Sequence, residues 1–310
     1  MIIYDSNANW FKDIINSYKS DTLLRLFKRV FLVGVVATGI IFIYQLIFGP
    51  GLESSFITSV FTYVGVALSI LLVFRTNTAY DRWWEGRKQW GNLVNNARSI
   101  ALLVDAKLPK HDEANRRYFA KYISNYAYAL SAHLRGVFRK DLLYDVKNKD
   151  EKSLEIHYHA PNYIAKKLYG RTVRLLEQGH LSEFVELKML DHLAQFNEIT
   201  GACERIKTTP IPFSYRTFLK IFILIYTLLL PFAYAHSLGY YAVPVTMLEF
   251  FVLIGLESLA EEIEDPFENN SNDLPTYTIS TVIKNNVYEI LGFYEEVSPP
   301  EKRQIYKVID

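Results

Sequence analysis

The chain has 310 residues, 50% hydrophobic and 15% aromatic but still 22% charged, too apolar for an ordinary soluble domain and too charged to lie wholly in lipid. Its 34 Lys and Arg against 33 Asp and Glu leave a net charge of +1, which gives nucleic acid no electrostatic footprint. The lone cysteine, Cys203, excludes an internal disulfide framework and fits a reducing compartment.

Residues 1–28 are polar at the start and carry no signal-peptide pattern. Trp10, Phe11, Ile14, Ile15 and Tyr18 recur at helical spacing, which predicts an amphipathic surface helix, with Ser20 or Asp21 placed to cap the next one. Residues 30–48 are nineteen uncharged residues, enough to cross about 30 Å of hydrocarbon. Arg25, Lys28 and Arg29 precede them, and Gly49-Pro50-Gly51 ends them.

A second apolar run, 56–74, follows at once and leads into Arg75, Arg82, Arg87 and Lys88. The turn between the runs holds Glu53 and no Lys or Arg, so both outer ends of this hairpin are expected in the cytoplasm. Val66, Ile70 and Phe74 lie four apart and stack on one helix face; spacing alone leaves pore, core and lipid readings open. Asp81-Arg82-Trp83-Trp84 falls where the helix leaves the membrane, as an interfacial anchor or a subunit contact.

Residues 77–213 hold no comparable apolar run and predict a soluble helical region. Trp90, Leu93, Val94, Ala97 and Ile100 form one helical stripe, and Tyr118, Tyr122, Ile123 and Tyr126 belong to another. Residues 141–162 read as a loop, and helix resumes over 181–205. His157-Tyr158-His159 in that loop offers two imidazoles, a weak metal signal without further ligands.

The third and fourth membrane candidates are 218–235, with Pro231 inside, and 243–259. Arg205, Lys207 and Arg216 precede them, Lys220 stands at the start of the third, and no Lys or Arg falls between Ile221 and Ala260. The second hairpin therefore repeats the orientation of the first, with 236–241 as an external loop and both termini cytoplasmic. Glu249, in the middle of the fourth run, is expected to face a partner or water; a structural hydrogen bond and a pathway role both fit. Beyond Leu259 come Glu261, Glu262, Glu264, Asp265, Glu268 and Asp273, an oxygen-rich set without EF-hand spacing that reads as a solvated acidic face. Of these, Glu262, Asp265 and Asp273 are weak metal candidates. Residues 276–292 predict one more amphipathic helix. No Walker loop, GxGxxG, HExxH or GxSxG motif occurs, which favours transport over enzymatic chemistry.

Three segments resemble the bestrophin family, in its bacterial and chloroplast-related branch: FRTNTAYDRWWEGRKQWG (74–91), CERIKTTPIPFSY (203–215) and VPVTMLEFFVLIGLESLAEEIEDPF (243–267). The resemblance implies a single channel domain over 1–310 in an all-α membrane protein. Its parts are a hairpin at about 29–74, cytosolic helices at about 75–213, a second hairpin at about 214–260, and a cytosolic segment 261–310. Five copies would surround one axis in the cell membrane, in contact with lipid and with no nucleic-acid partner. The neck of the pore would fall on Val66, Ile70 and Phe74, a hydrophobic constriction of the kind that gates by excluding water. A second, cytosolic constriction would fall near Phe184, or on Leu181 or Val185 if one gap intervenes. Eukaryotic members carry a run of aspartates for calcium after an Asn-Pro-Phe segment; here Asp265-Pro266-Phe267 leads into Glu268-Asn269-Asn270-Ser271-Asn272-Asp273, so calcium gating and a cofactor are not expected. Chloride or other small anions are the expected permeant ions. The alternatives are a sodium-selective channel of the same build and, from other classes, a coupled transporter or a membrane enzyme. Neither of the latter has its expected signs, internal repeats with broken helices or a convergent polar constellation.

Overall fold

A computed structural model describes residues 21–49, 55–137, 159–268, 270 and 272–299, and among these it contains helices and no strand. The expected N-terminal amphipathic segment, and His157 and Tyr158, lie outside the described residues. The α-helices are α1 Asp21–Phe48, α2 Ser55–Lys107, α3 Glu113–Leu134, α4 Ala160–Glu177, α5 Glu183–Thr208, α6 Phe213–Leu238, α7 Ala242–Ile263 and α8 Thr276–Ile290. Short 3₁₀ turns occupy Gly239–Tyr241 and Tyr294–Glu296.

Helix α2 dominates the chain. Its 53 residues run without a proline until Pro109, just beyond the end. At about 1.5 Å per residue it is about 80 Å long, roughly twice a bilayer with its headgroups. An apolar first part and a polar second part therefore share one uninterrupted helix. Among the described residues, three stretches have the length and hydropathy of membrane spans: Leu24–Ile47, Thr58–Lys107 and Phe213–Ile263, the last made of α6, the Gly239–Tyr241 turn and α7.

Two compact units divide the chain. One draws on Tyr4–Arg82 and Pro210–Asp265. In it α1 packs on α7 and α6, and α6 on α7. Leu26, Val30, Leu68, Leu72, Leu219, Ile223, Leu230, Phe250 and Leu253 form its core. Outside that core it leaves large apolar side chains bare, Phe31 at 70% and Leu46 at 76% exposure among them. Such surface is stable against lipid or another protein, not against water.

The other unit draws on Trp83–Thr209 and Pro266–Asp310. Here α3 packs on α8, α4 and α5, and α4 on α5. The predicted stripe supplies Trp90, Leu93, Ala97 and Ile100 to this core, with Val94 packed at its margin; Phe119, Ile123 and Tyr126 of α3 join it, Tyr126 against Phe196 of α5. Gly86 of α2 lies under the Asp-Pro-Phe segment: a Cβ there would stand 3.1 Å from Phe267 and 3.2 Å from Pro266.

Two boundaries differ from the sequence reading. Helix α4 starts at Ala160, inside the expected loop, because the His159 side chain accepts the Asn162 amide and Pro161 occupies the first turn. The expected external loop 236–241 is mostly helical: α6 reaches Leu238, and Gly239, at φ +53°, makes the turn toward α7.

Candidate functional site

The apolar half of α2 has two unlike sides. Leu68, Leu72, Arg75 and Ala79 are fully buried. Val66, Ile70 and Phe74 are 55%, 52% and 61% exposed in the single chain. Tyr63 and Val73 widen the same bare surface. The hydroxyls of Ser69, Thr76 and Thr78 donate to α2's own carbonyls at Gly65, Leu72 and Phe74. That satisfies them within the helix and leaves its exposed side apolar in character.

Below Phe74 the buried side of α2 turns ionic. Arg75 Nη2 is 2.6 Å from Glu264 Oε2, and Arg75 Nε is 3.6 Å from Glu257 Oε2. The other Glu264 oxygen accepts the Ile211 amide at 2.8 Å. One turn and more further along, Arg82 Nε donates to the Glu264 carbonyl at 3.0 Å, where α7 ends and cation binding is favoured by the helix dipole. In the sequence Arg75 is only a charge flanking an apolar run; its partners lie in the last turns of α7 and just beyond it. Trp83 Nε1 donates to the Asn272 carbonyl at 3.1 Å, and Trp84 remains 48% exposed.

Glu249 is half-buried. Tyr226 Oη donates to its Oε2 at 3.1 Å and Tyr234 Oη to its Oε1 at 3.4 Å. Tyr226 reaches this position because residue 65 has no side chain: a Cβ at Gly65 would lie 2.5 Å from the Tyr226 hydroxyl. An acid in an apolar stretch is thus supplied with donors by the neighbouring helix.

Phe184 stands in the first turn of α5 and is 70% exposed, whereas Leu181 and Val185 are buried in the core. Of the three candidates for a cytosolic constriction, only Phe184 projects free of the core.

The acids beyond Leu259 form the expected solvated face only in part: Glu261 and Glu268 are exposed. Glu264 and Asp273 are 5% and 2% exposed. Asp273 Oδ2 accepts the Asn270 amide, and Glu261 meets Lys220 and Arg216. Glu262 and Asp265 are half-buried. Among the described residues these acids do not converge as a metal-ligand group. Another set does: His133, His159 and Glu204 bring ligand atoms within 4.8 Å of one another. Beside it, Cys203 is fully buried, and burial pushes its thiol up to about 12.

A model of a family described as bacterial/fungal bestrophin protein matches residues 1–289. A voltage-dependent anion channel-forming protein of Nostoc sp. is 31% identical, over 94% of this chain and 95% of that protein. One of the same description from Escherichia coli K12 is 29% identical, over 97% of each. The crystal structure of a bacterial bestrophin homologue from Klebsiella pneumoniae superposes with a TM-score of 0.77 at 28% identity, covering 87% of this chain and 98% of that one. With the fold, the apolar helices and the match over nearly the whole length in agreement, the chain belongs to the bacterial and fungal bestrophin family.

Proposed function

We propose that the chain is one subunit of a homopentameric membrane channel that passes small monovalent ions passively, chloride and other anions foremost. The naming of its relatives as voltage-dependent anion channel-forming proteins supports this reading. The observation that carries it is the exposed apolar side of α2 at Val66, Ile70 and Phe74, opposite a side already buried in the chain's own core. Around a five-fold axis these three residues form a hydrophobic neck, which gates by dewetting. The remaining bare apolar surface meets lipid and neighbouring subunits.

On this reading the whole chain is one channel domain. Its membrane hairpins are 29–74 and 214–260, giving four crossings. The cytosolic parts are 75–213 and 261–310, and both termini lie in the cytoplasm of a cell-membrane protein, a reading that the Lys and Arg distribution supports. Phe184 forms the second, cytosolic constriction. Calcium gating is not part of the reading, since Glu264 is committed to Arg75 and Ile211.

The test is reconstitution of the purified chain in a planar bilayer under a chloride salt gradient. A reversal potential near the chloride equilibrium value is expected. A value near that of the cation instead selects a sodium-type channel of the same build, with Glu249 as the first acid to examine. No current from folded, oligomeric protein refutes the channel.

A further inference from the structure

The cluster of His133, His159 and Glu204 takes no part in the channel as described above. His133 lies in the last turn of α3, His159 caps α4, and Glu204 lies in α5. The Nε2 atoms of both histidines are 2.7 Å from the same atom, Glu204 Oε1. The two rings overlap, with centroids 4.4 Å apart and planes inclined by 34°. All three side chains are about 30% exposed (26%, 29% and 32%), so an ion has a route in from solvent. A carboxylate only accepts hydrogen bonds, so each Nε2 carries a proton in this arrangement. Nδ1 of His159 accepts the Asn162 amide at 3.2 Å and therefore carries none.

We propose that these three residues hold a divalent cation of the zinc class, with water in the fourth position. Two imidazoles and one carboxylate are a familiar three-ligand set for zinc that leaves one place open. Such a set disfavours calcium and magnesium, which take oxygen ligands in larger number. Zinc bonds of about 2.0–2.2 Å at tetrahedral angles hold ligand atoms about 3.3 Å apart. The present 2.7 Å separations must then open by about half an ångström, or Glu204 must bind through its second oxygen. The neighbouring Cys203 is fully buried and its sulfur is not among the ligand atoms that converge. The ion would tie the end of α3 and the start of α4 to α5, three elements now joined there by two hydrogen bonds to one oxygen.

Metal binding has a specific local cost. When His159 binds through Nε2, its ring proton moves to Nδ1, where it opposes the Asn162 amide. The cap on α4 is then lost, and the Asn162 amide becomes freer to exchange.

The experiment uses the full-length protein in detergent, stripped with EDTA, dialysed and titrated with Co²⁺. The expected result is saturation at one ion per chain, with the visible bands of a four-coordinate cobalt site, displaced by Zn²⁺. His159→Asn keeps a good N-cap while removing the ligand, and Glu204→Gln keeps a hydrogen-bond acceptor. Both should fold as the native protein does and lose affinity by more than the roughly 10–100-fold that loss of an outer-shell partner costs. Hydrogen exchange at Asn162 should speed up on metal addition in the native chain. No saturable binding by the native protein, equal affinity in either variant, or unchanged Asn162 exchange with the site filled overturns the proposal.

Discussion

Arg75 and Glu264, 189 positions apart, meet at 2.6 Å with side-chain exposures of 0% and 7%. The Glu264 carboxylate also accepts the Ile211 amide, and its backbone carbonyl accepts Arg82. One residue after the end of α7 thus holds α2 at two points, seven residues apart, and the turn that leads into α6. Removing one member strands a buried charge. Arg75→Ala or Glu264→Ala is expected to cost about 3–5 kcal/mol, and Arg75→Met with Glu264→Leu less than the sum of the two, although it still leaves the buried Glu257 and the Ile211 amide without these partners. Thermal unfolding in detergent checks this; a double variant as unstable as the sum of the single ones would show that the pair is not what is being measured.

The neck makes a separate prediction. Val66→Ala, Ile70→Ala and Phe74→Ala together should remove the proposed constriction without touching the buried side, where Leu68 and Leu72 pack. Single-channel recording should show larger conductance or loss of long closures. Unchanged currents from folded protein would move the constriction elsewhere, with Phe184→Ala the next variant to record.

Gly65 and Gly34 look alike but should behave differently. A Cβ at Gly65 meets the Tyr226 hydroxyl at 2.5 Å, and one at Gly34 meets Met247 Sδ at 2.6 Å. Methionine yields easily, and alanine gains up to about 1 kcal/mol over glycine in a helix, so Gly34→Ala should be near neutral. Tyr226 is held by its bond to Glu249, so Gly65→Ala should cost about 1–3 kcal/mol of overpacking. Tyr226→Phe removes the atom that clashes and should recover part of that loss. If Gly65→Ala unfolds at the native temperature, the close approach is not limiting.

The helices and the membrane stretches were legible because periodicity and apolar length are local properties. Trp90, Leu93, Ala97 and Ile100 entered the core as their spacing predicts. The polar side of the structure was not legible, because its pairs are remote. Glu264 reads as one acid in a solvated run until Arg75 is brought against it. His159 stands out in the sequence beside His157, yet its partners are Glu204, 45 positions away, and His133, which reaches Glu204 across 71. An acid such as Glu249 in an apolar run needs a partner, since lipid supplies no donor, but nothing in the spacing names Tyr226 and Tyr234.

Cys203 provides a chemical probe of the packing between α3 and α5. Burial, aided by the charges of Glu204 and Glu85, raises its thiol from an ordinary 9.0 to about 12. Since the thiolate is the nucleophile, native protein at pH 8 should resist maleimide, while unfolded protein should react fully. The same shift makes stability depend on pH. The folded state keeps the proton that the unfolded chain releases near 9.0, so the contribution is whole below that value and is lost as pH rises toward about 12. The slope from this group is at most about 1.4 kcal/mol per pH unit, and Cys203→Ala should remove it. Unfolding curves of native and variant protein between pH 8 and about 11 check the difference. Parallel curves, or rapid labelling of the native chain, would mean that Cys203 is not sealed in the core.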